Sequence, residues 1–215
     1  MKKNTLIILF ALVSFISNAQ LITTKKNGGE KQADYIFATA GVSLPVGLIN
    51  TPKYSGVLAS PGPLLTLGCH HFYNKRWGMG LSLSSSIYNG KPNYKVSDNY
   101  STNGSWHKGQ LYINASYTVI LKDRLAIDIV QGIGIYYMKE PSYQYTSLNR
   151  EYSIKERKGW NTTYNIGIKS RFLLKENIGV LFSANYSYAL DLLSRSIDSF
   201  NSVECELGFF VKLKK

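Results

Sequence analysis

Leu111-Tyr-Ile-Asn-Ala-Ser-Tyr-Thr-Val-Ile-Leu121, the link Lys122-Asp-Arg124, and Leu125-Ala-Ile-Asp-Ile-Val-Gln-Gly-Ile-Gly-Ile-Tyr-Tyr137 form the run whose reading decides the fold. In the first segment Leu111, Ile113, Ala115, Tyr117, Val119 and Leu121 share one face, and Tyr112, Asn114, Ser116, Thr118 and Ile120 share the other. The second segment repeats the alternation with Leu125, Ile127, Ile129, Ile133, Ile135 and Tyr137. Successive side chains of a strand point to opposite faces, so a period of two sustained this long predicts strands. The three-residue link predicts a tight antiparallel hairpin. Each arm is long enough to cross a hydrocarbon layer, which takes ~9 to 11 tilted strand residues.

The same pattern recurs on both sides. Alternating segments are predicted at about 34–46, 64–73, 77–88, 159–174, 178–190 and from about 200 to the C-terminal end, bringing the count to eight. The segment at 77–88 is the cleanest, with Trp77, Met79, Leu81, Leu83 and Ile87 set against Gly78, Gly80, Ser82, Ser84 and Ser86. Asn74-Lys-Arg76, Lys122-Asp-Arg124 and Lys175-Glu-Asn177 are short turns, while the other connections, including 89–108 and 139–158, are long. Short turns at one end and long loops at the other describe an up-and-down transmembrane β-barrel. The fold class expected is therefore all-β, an eight-stranded antiparallel up-and-down transmembrane β-barrel. The mixture of Tyr and alternating charge in 139–158 further predicts that the sheet continues above the membrane.

At the N-terminus Met1-Lys-Lys-Asn-Thr precedes the apolar Leu6-Ile-Ile-Leu-Phe-Ala-Leu-Val-Ser-Phe-Ile16 and then Ser17-Asn-Ala-Gln20. A basic start, a short apolar run and small residues before a cut after Ala19 predict a cleaved secretory signal at 1–19. Residues 20–33 read as a flexible periplasmic lead-in, and 34–215 as the barrel domain, with no further domain after it. Mean hydropathy is slightly polar, −0.13, as strands that are apolar on one face alone require. The formal net charge of +12, with two of its charges on Lys2 and Lys3, would suggest nucleic acid in a cytoplasmic chain. Export removes that partner and points the charge at phosphates of outer-membrane lipid and lipopolysaccharide. Cys69 and Cys205 fall on the apolar parity of strands two apart, and both read as small outward residues without a disulfide.

Whether the apolar face looks outward decides between a membrane barrel and a secreted lipocalin-like binder. The apolar parity is bulky and uncharged, and the other is rich in Gly, Ser, Thr and Asn; an eight-stranded lumen has room for little more than its own side chains. The apolar face is therefore expected to meet lipid. Tyr73, Trp77, Tyr88, Tyr137, Trp160, Tyr164, Tyr186 and Tyr188 are the candidates for interfacial girdles. Gln131 is the misfit on that face, and a bulge beside Gly132 is the expected remedy. On strand number, loop sorting and leader, the mature region resembles the small eight-stranded outer-membrane barrels of the outer membrane protein A and X type, a porin-like group. The resemblance implies the bacterial outer membrane as location and the barrel-assembly machinery as a partner. Such barrels usually end in an aromatic residue read during assembly, whereas this chain ends Phe209-Phe-Val-Lys-Leu-Lys-Lys215; Phe209 and Phe210 are the candidates for that signal.

The polar parity also carries charge. Asp128, Lys169, Arg171, Glu204 and Glu206, with Lys212, are predicted to point into the lumen, Asp128 nearly level with Arg171. Buried charges need partners, so a structural network of ion pairs plugging the barrel is expected, with a narrow ion or proton path as the alternative. A nucleophile and base could come only from a serine with His70, His71 or His107; His70 reads as a lumen residue and His71 as an interfacial one. Being adjacent, they lie on opposite faces and do not form a two-histidine metal site. No catalytic residue, metal or cofactor is expected. The function read here is a structural or surface-interaction barrel, with surface ligands expected at 89–108 and 139–158; a narrow porin-like channel and a lipid A-modifying barrel enzyme are the alternatives.

Overall fold

A computed structural model describes residues 34–46, 59–90, 95–96, 98–101, 104–147, 150–190, 192 and 200–213. The expected leader at 1–19 and lead-in at 20–33 lie outside them. The strands are β1 (Tyr35–Val46), β2 (Gly62–Phe72), β3 (Trp77–Asn89), β4 (Lys95–Val96), β5 (Asp98–Ser101) and β6 (Ser105–Leu121). They continue as β7 (Leu125–Glu140), β8 (Tyr143–Ser147), β9 (Arg150–Ile154), β10 (Arg157–Leu173), β11 (Ile178–Ala189) and β12 (Asn201–Lys212). Eight of them form a closed barrel in the order β1-β12-β11-β10-β7-β6-β3-β2, and β4, β5, β8 and β9 form a separate sheet. Every barrel pairing is antiparallel, and β12 returns to β1 along its whole length, from Tyr35↔Lys212 to Val46↔Asn201. Closure gives every barrel strand a partner on both sides, the condition that hydrocarbon imposes on a sheet.

The alternation sets the two faces. Outward positions carry Ile36, Leu65, Leu67, Leu81, Leu83, Ile113, Ile129, Ile168, Phe182, Leu207 and Phe209, all exposed. Most inward positions are buried all round the barrel. Cys69 and Cys205 are free and exposed, on the two strands that flank β1.

Four expectations need correction. The segments 89–108 and 139–158 are not loops throughout: β6 begins at Ser105, β7 runs to Glu140 and β10 starts at Arg157. Ladder hydrogen bonds need no apolar face, so the strands continue beyond the belt. The sheet above the barrel arises from hairpins of the two loops pairing with each other, β5 with β8. Tyr88 faces the lumen and is fully buried, because it shares the parity of Ser84 and Ser86. The bulge lies between Thr118 and Ile120, not beside Gly132; Gln131 stays on the outer face, where its Oε1 accepts the Tyr164 hydroxyl at 3.0 Å.

Candidate functional site

The lumen is the one place, among the described residues, where the fold gathers ionisable side chains away from solvent. Its chemistry follows from register. A slanted row of paired residues runs Thr118↔Asp128, Asp128↔Lys169, Lys169↔Ser183, Ser183↔Glu206 across β6, β7, β10, β11 and β12. Arg171 pairs in register with Ala126, so it meets Asp128 from one pleat away and is not level with it. Its Nε donates to Asp128 Oδ2 at 2.9 Å and its Nη2 to Oδ1 at 3.1 Å, and the Thr118 hydroxyl donates to Oδ1 at 2.7 Å. Such a two-pronged bond is the strong form of an Arg–carboxylate pair. The guanidinium also lies over the rings of Tyr35, 5.0 Å away, and Phe72, 4.8 Å away, where their π faces favour a cation.

The other expected residues form separate tiers. Glu206 accepts from the hydroxyl of Thr39 and, at 3.4 Å, from Ser183. Lys169 Nζ stands 4.2 Å from the centre of the Phe37 ring. Nearer the long-loop end, Glu204 accepts from Ser202 at 2.9 Å and from Gln110 Nε2 at 3.4 Å, and lies 3.8 Å from Lys108 Nζ. Lys108 also donates to Ser202 at 3.1 Å and Ser187 at 3.3 Å. β6 and β12 are diametrically opposite in the barrel order, so Lys108 and Gln110 span the lumen. Among the described residues the buried lumen charges are Asp128, Glu140, Glu204 and Glu206 against Lys108, Lys169 and Arg171, and the half-buried Arg157, paired with Glu140, completes a balance that needs no counter-ion. Lys212, also assigned to the lumen, is only half-buried and lines the mouth at the short-turn end.

Aromatic side chains close both ends. Tyr35, Phe37, Phe72, Leu181 and Phe210 pack at the short-turn end, and Ala59, Tyr88, Trp106, Tyr136, Met138, Ala189 and Phe200 at the other. Between them a cavity of about 10 Å³ lies beside Asn165, Lys169 and Glu206, room for about one water molecule. Small lumen residues make space for the plugs: a Cβ on Gly68 would stand 2.4 Å from Phe37 Cζ.

His70 lies in the lumen and His71 on the outer surface. His70 Nε2 is 2.7 Å from Ser116 Oγ, and its ring stacks on Tyr35 at 5.4 Å. That serine–histidine contact is sealed inside the barrel, and no carboxylate reaches His70 Nδ1. His71 Nδ1 lies 2.9 Å from Asp34 Oδ1. Among the described residues no three His, Cys, Asp or Glu side chains gather in a metal-binding arrangement.

Sequence reading missed Lys108 and the buried Glu140, which pairs with Arg157 at 2.7 Å, because both stood in stretches read as loop. The signal was present: Trp106, Lys108 and Gln110 continue the inward parity of Tyr112.

No protein-family model matches the chain, and no curated protein matches its sequence. Solved structures do share its shape. Neisserial surface protein A aligns over 86% of this chain and 100% of its own, with 8% identity and a TM-score of 0.50. Ail, the attachment invasion locus protein of Yersinia pestis, aligns over 85% and 100%, with 12% identity and a TM-score of 0.49. A major outer membrane protein from Thermus thermophilus aligns over 85% and 100%, with 12% identity and a TM-score of 0.48. The chain has the fold of the small eight-stranded outer-membrane barrels.

Proposed function

We propose that this protein is an integral barrel of the bacterial outer membrane, exported by the leader at 1–19, with a structural or surface-interaction role and a lumen filled by its own side chains. The observation that carries the reading is the combination of a predominantly apolar exposed wall with a neutral, plugged interior. In water that wall would be a large exposed apolar patch; in lipid it is the required surface. The short turns then face the periplasm and the long loops the exterior, so that surface ligands meet the sheet of β4, β5, β8 and β9. Outer-membrane lipid and lipopolysaccharide surround the wall, and Phe209 and Phe210 on the last strand serve the assembly machinery as its recognition signal. The lumen ion pairs hold the barrel rigid and plug it. A non-catalytic role fits the sealed His70–Ser116 contact, which no substrate of the membrane or the medium reaches.

The test is gel mobility of the outer-membrane fraction with and without boiling. A folded barrel migrates differently from its unfolded chain, and a heat-dependent shift in that fraction is expected. Recovery of a soluble secreted protein with no shift would overturn the reading.

A further inference from the structure

The outward face of the barrel is not uniform around its rim. At the long-loop end, His107 pairs in register with Lys139, and Lys139 with Lys158. All three point outward, so they form a lateral basic row across β6, β7 and β10. Adjacent strands lie about 4.8 Å apart, which sets neighbouring basic groups at the separation from which two can grip one phosphate. Two residues nearer the membrane centre, Gly109, Tyr137 and Trp160 form the next outward row. The rings of Tyr137 and Trp160 touch with centroids 5.2 Å apart, and Trp160 is 55% exposed. Beside them Gly109 leaves a notch: a Cβ added there would meet nothing within 4 Å. On the other barrel strands the described outward residues of the same half, among them Leu44 and Val46, Leu65, Ile87, Tyr186 and Tyr188, and Val203, carry no charge. Among the described residues, a basic row above an aromatic row lies on one sector alone, an asymmetry that a general preference for the interface does not require.

We propose that this sector docks lipopolysaccharide through the phosphates of its lipid A, the basic row on the phosphates and Tyr137, Trp160 and the Gly109 notch against the sugar and the first acyl carbons. The assignment rests on the orientation proposed above, with the long loops outside. Charge complementarity selects the occupant: phosphates are the anions that lie at this depth in the outer leaflet, and Lys ammonium groups bind them as point charges. One carboxylate opposes it. Glu156 Oε2 lies 3.2 Å from Lys139 Nζ, with both side chains about half exposed; such exposed pairs are weak, so a phosphate displaces the carboxylate.

The experiment uses the full-length mature barrel in neutral detergent, its folding verified by the heat-dependent gel shift, titrated with bisphosphorylated lipid A, with its dephosphorylated form and with phosphatidylglycerol, and followed by native mass spectrometry. The wild type is expected to bind bisphosphorylated lipid A about tenfold more tightly than either alternative. Lys139→Ala with Lys158→Ala should remove that preference, whereas Lys122→Ala with Lys175→Ala, an equal loss of charge in the short turns, should leave it within about twofold. Glu156→Gln should tighten binding severalfold. Equal binding by the first double variant and the wild type, equal loss in the turn variant, or equal saturation by phosphatidylglycerol would overturn the assignment. A chain with no gel shift would remove the membrane reading itself, whereas a folded barrel without the lipid preference removes only this site.

Discussion

Removing the Arg171 guanidinium leaves the Asp128 carboxylate buried with the Thr118 hydroxyl but without its charge partner. Breaking one side of a buried pair typically costs about 3–5 kcal/mol, so Arg171→Ala should lower the urea midpoint of the barrel refolded into phospholipid vesicles by a corresponding amount. Replacing both partners, Arg171→Met with Asp128→Leu, should recover most of the loss, because no charge is then left stranded. The plugs impose a different constraint. Gly68→Ala would force a methyl group to within 2.4 Å of Phe37 and 2.7 Å of the Leu81 carbonyl oxygen, and overpacking of this kind costs about 1–3 kcal/mol; the same unfolding curve reads it. The inward direction of Asp128 and Arg171 was legible from parity alone. Their diagonal meeting was not, since it depends on how the ladder of β7 and β10 is staggered.

The unpaired residue of β6 makes a prediction at the level of the strand. Thr118 pairs with Asp128 and Ile120 with Ile127, leaving Val119 as the extra residue. Deleting Val119 would therefore restore a regular ladder and keep Leu111 to Thr118 on their present faces. Deleting Ile113 from the same strand would turn one arm of it inside out, because a slip of one residue exchanges the two faces. The heat-dependent gel shift should survive the first deletion and disappear with the second. Strand number, direction and facing could all be read from the alternation. What hid the upper parts of β6, β7 and β10 was composition: above the belt the outward face turns polar and the inward face mixes charge with aromatics, and such a strand looks like a loop unless the parity of Trp106, Lys108 and Gln110 is followed upward. The bulge was hidden for the opposite reason, since Val119, Ile120 and Leu121 are all apolar and no face among them stands out.

At the scale of the whole barrel, the aromatic plugs and the Lys108–Glu204 tier stand in series along the lumen. Reconstituted into a planar bilayer, the wild-type protein should give no stepwise ion current; resolved openings would show that the plugs yield. A plugged lumen was expected from the charges on the polar parity; the Lys108–Glu204 tier was not, because its partners come from strands that meet only across the diameter. The same tier has a bearing on how the protein is made. Lys108 is contributed by β6, and its carboxylate by β12, the last barrel strand to leave the ribosome. A half-built sheet slid into hydrocarbon would carry four cations, Lys108, Arg157, Lys169 and Arg171, and only two of their four anions, Asp128 and Glu140, since Glu204 and Glu206 come with β12. Strand-by-strand immersion is thus closed off by cost, and the seam between β1 and β12 must form in step with the passage into lipid. Insertion and closure are one event, and a chain truncated before Asn201 should remain outside the bilayer however apolar its wall.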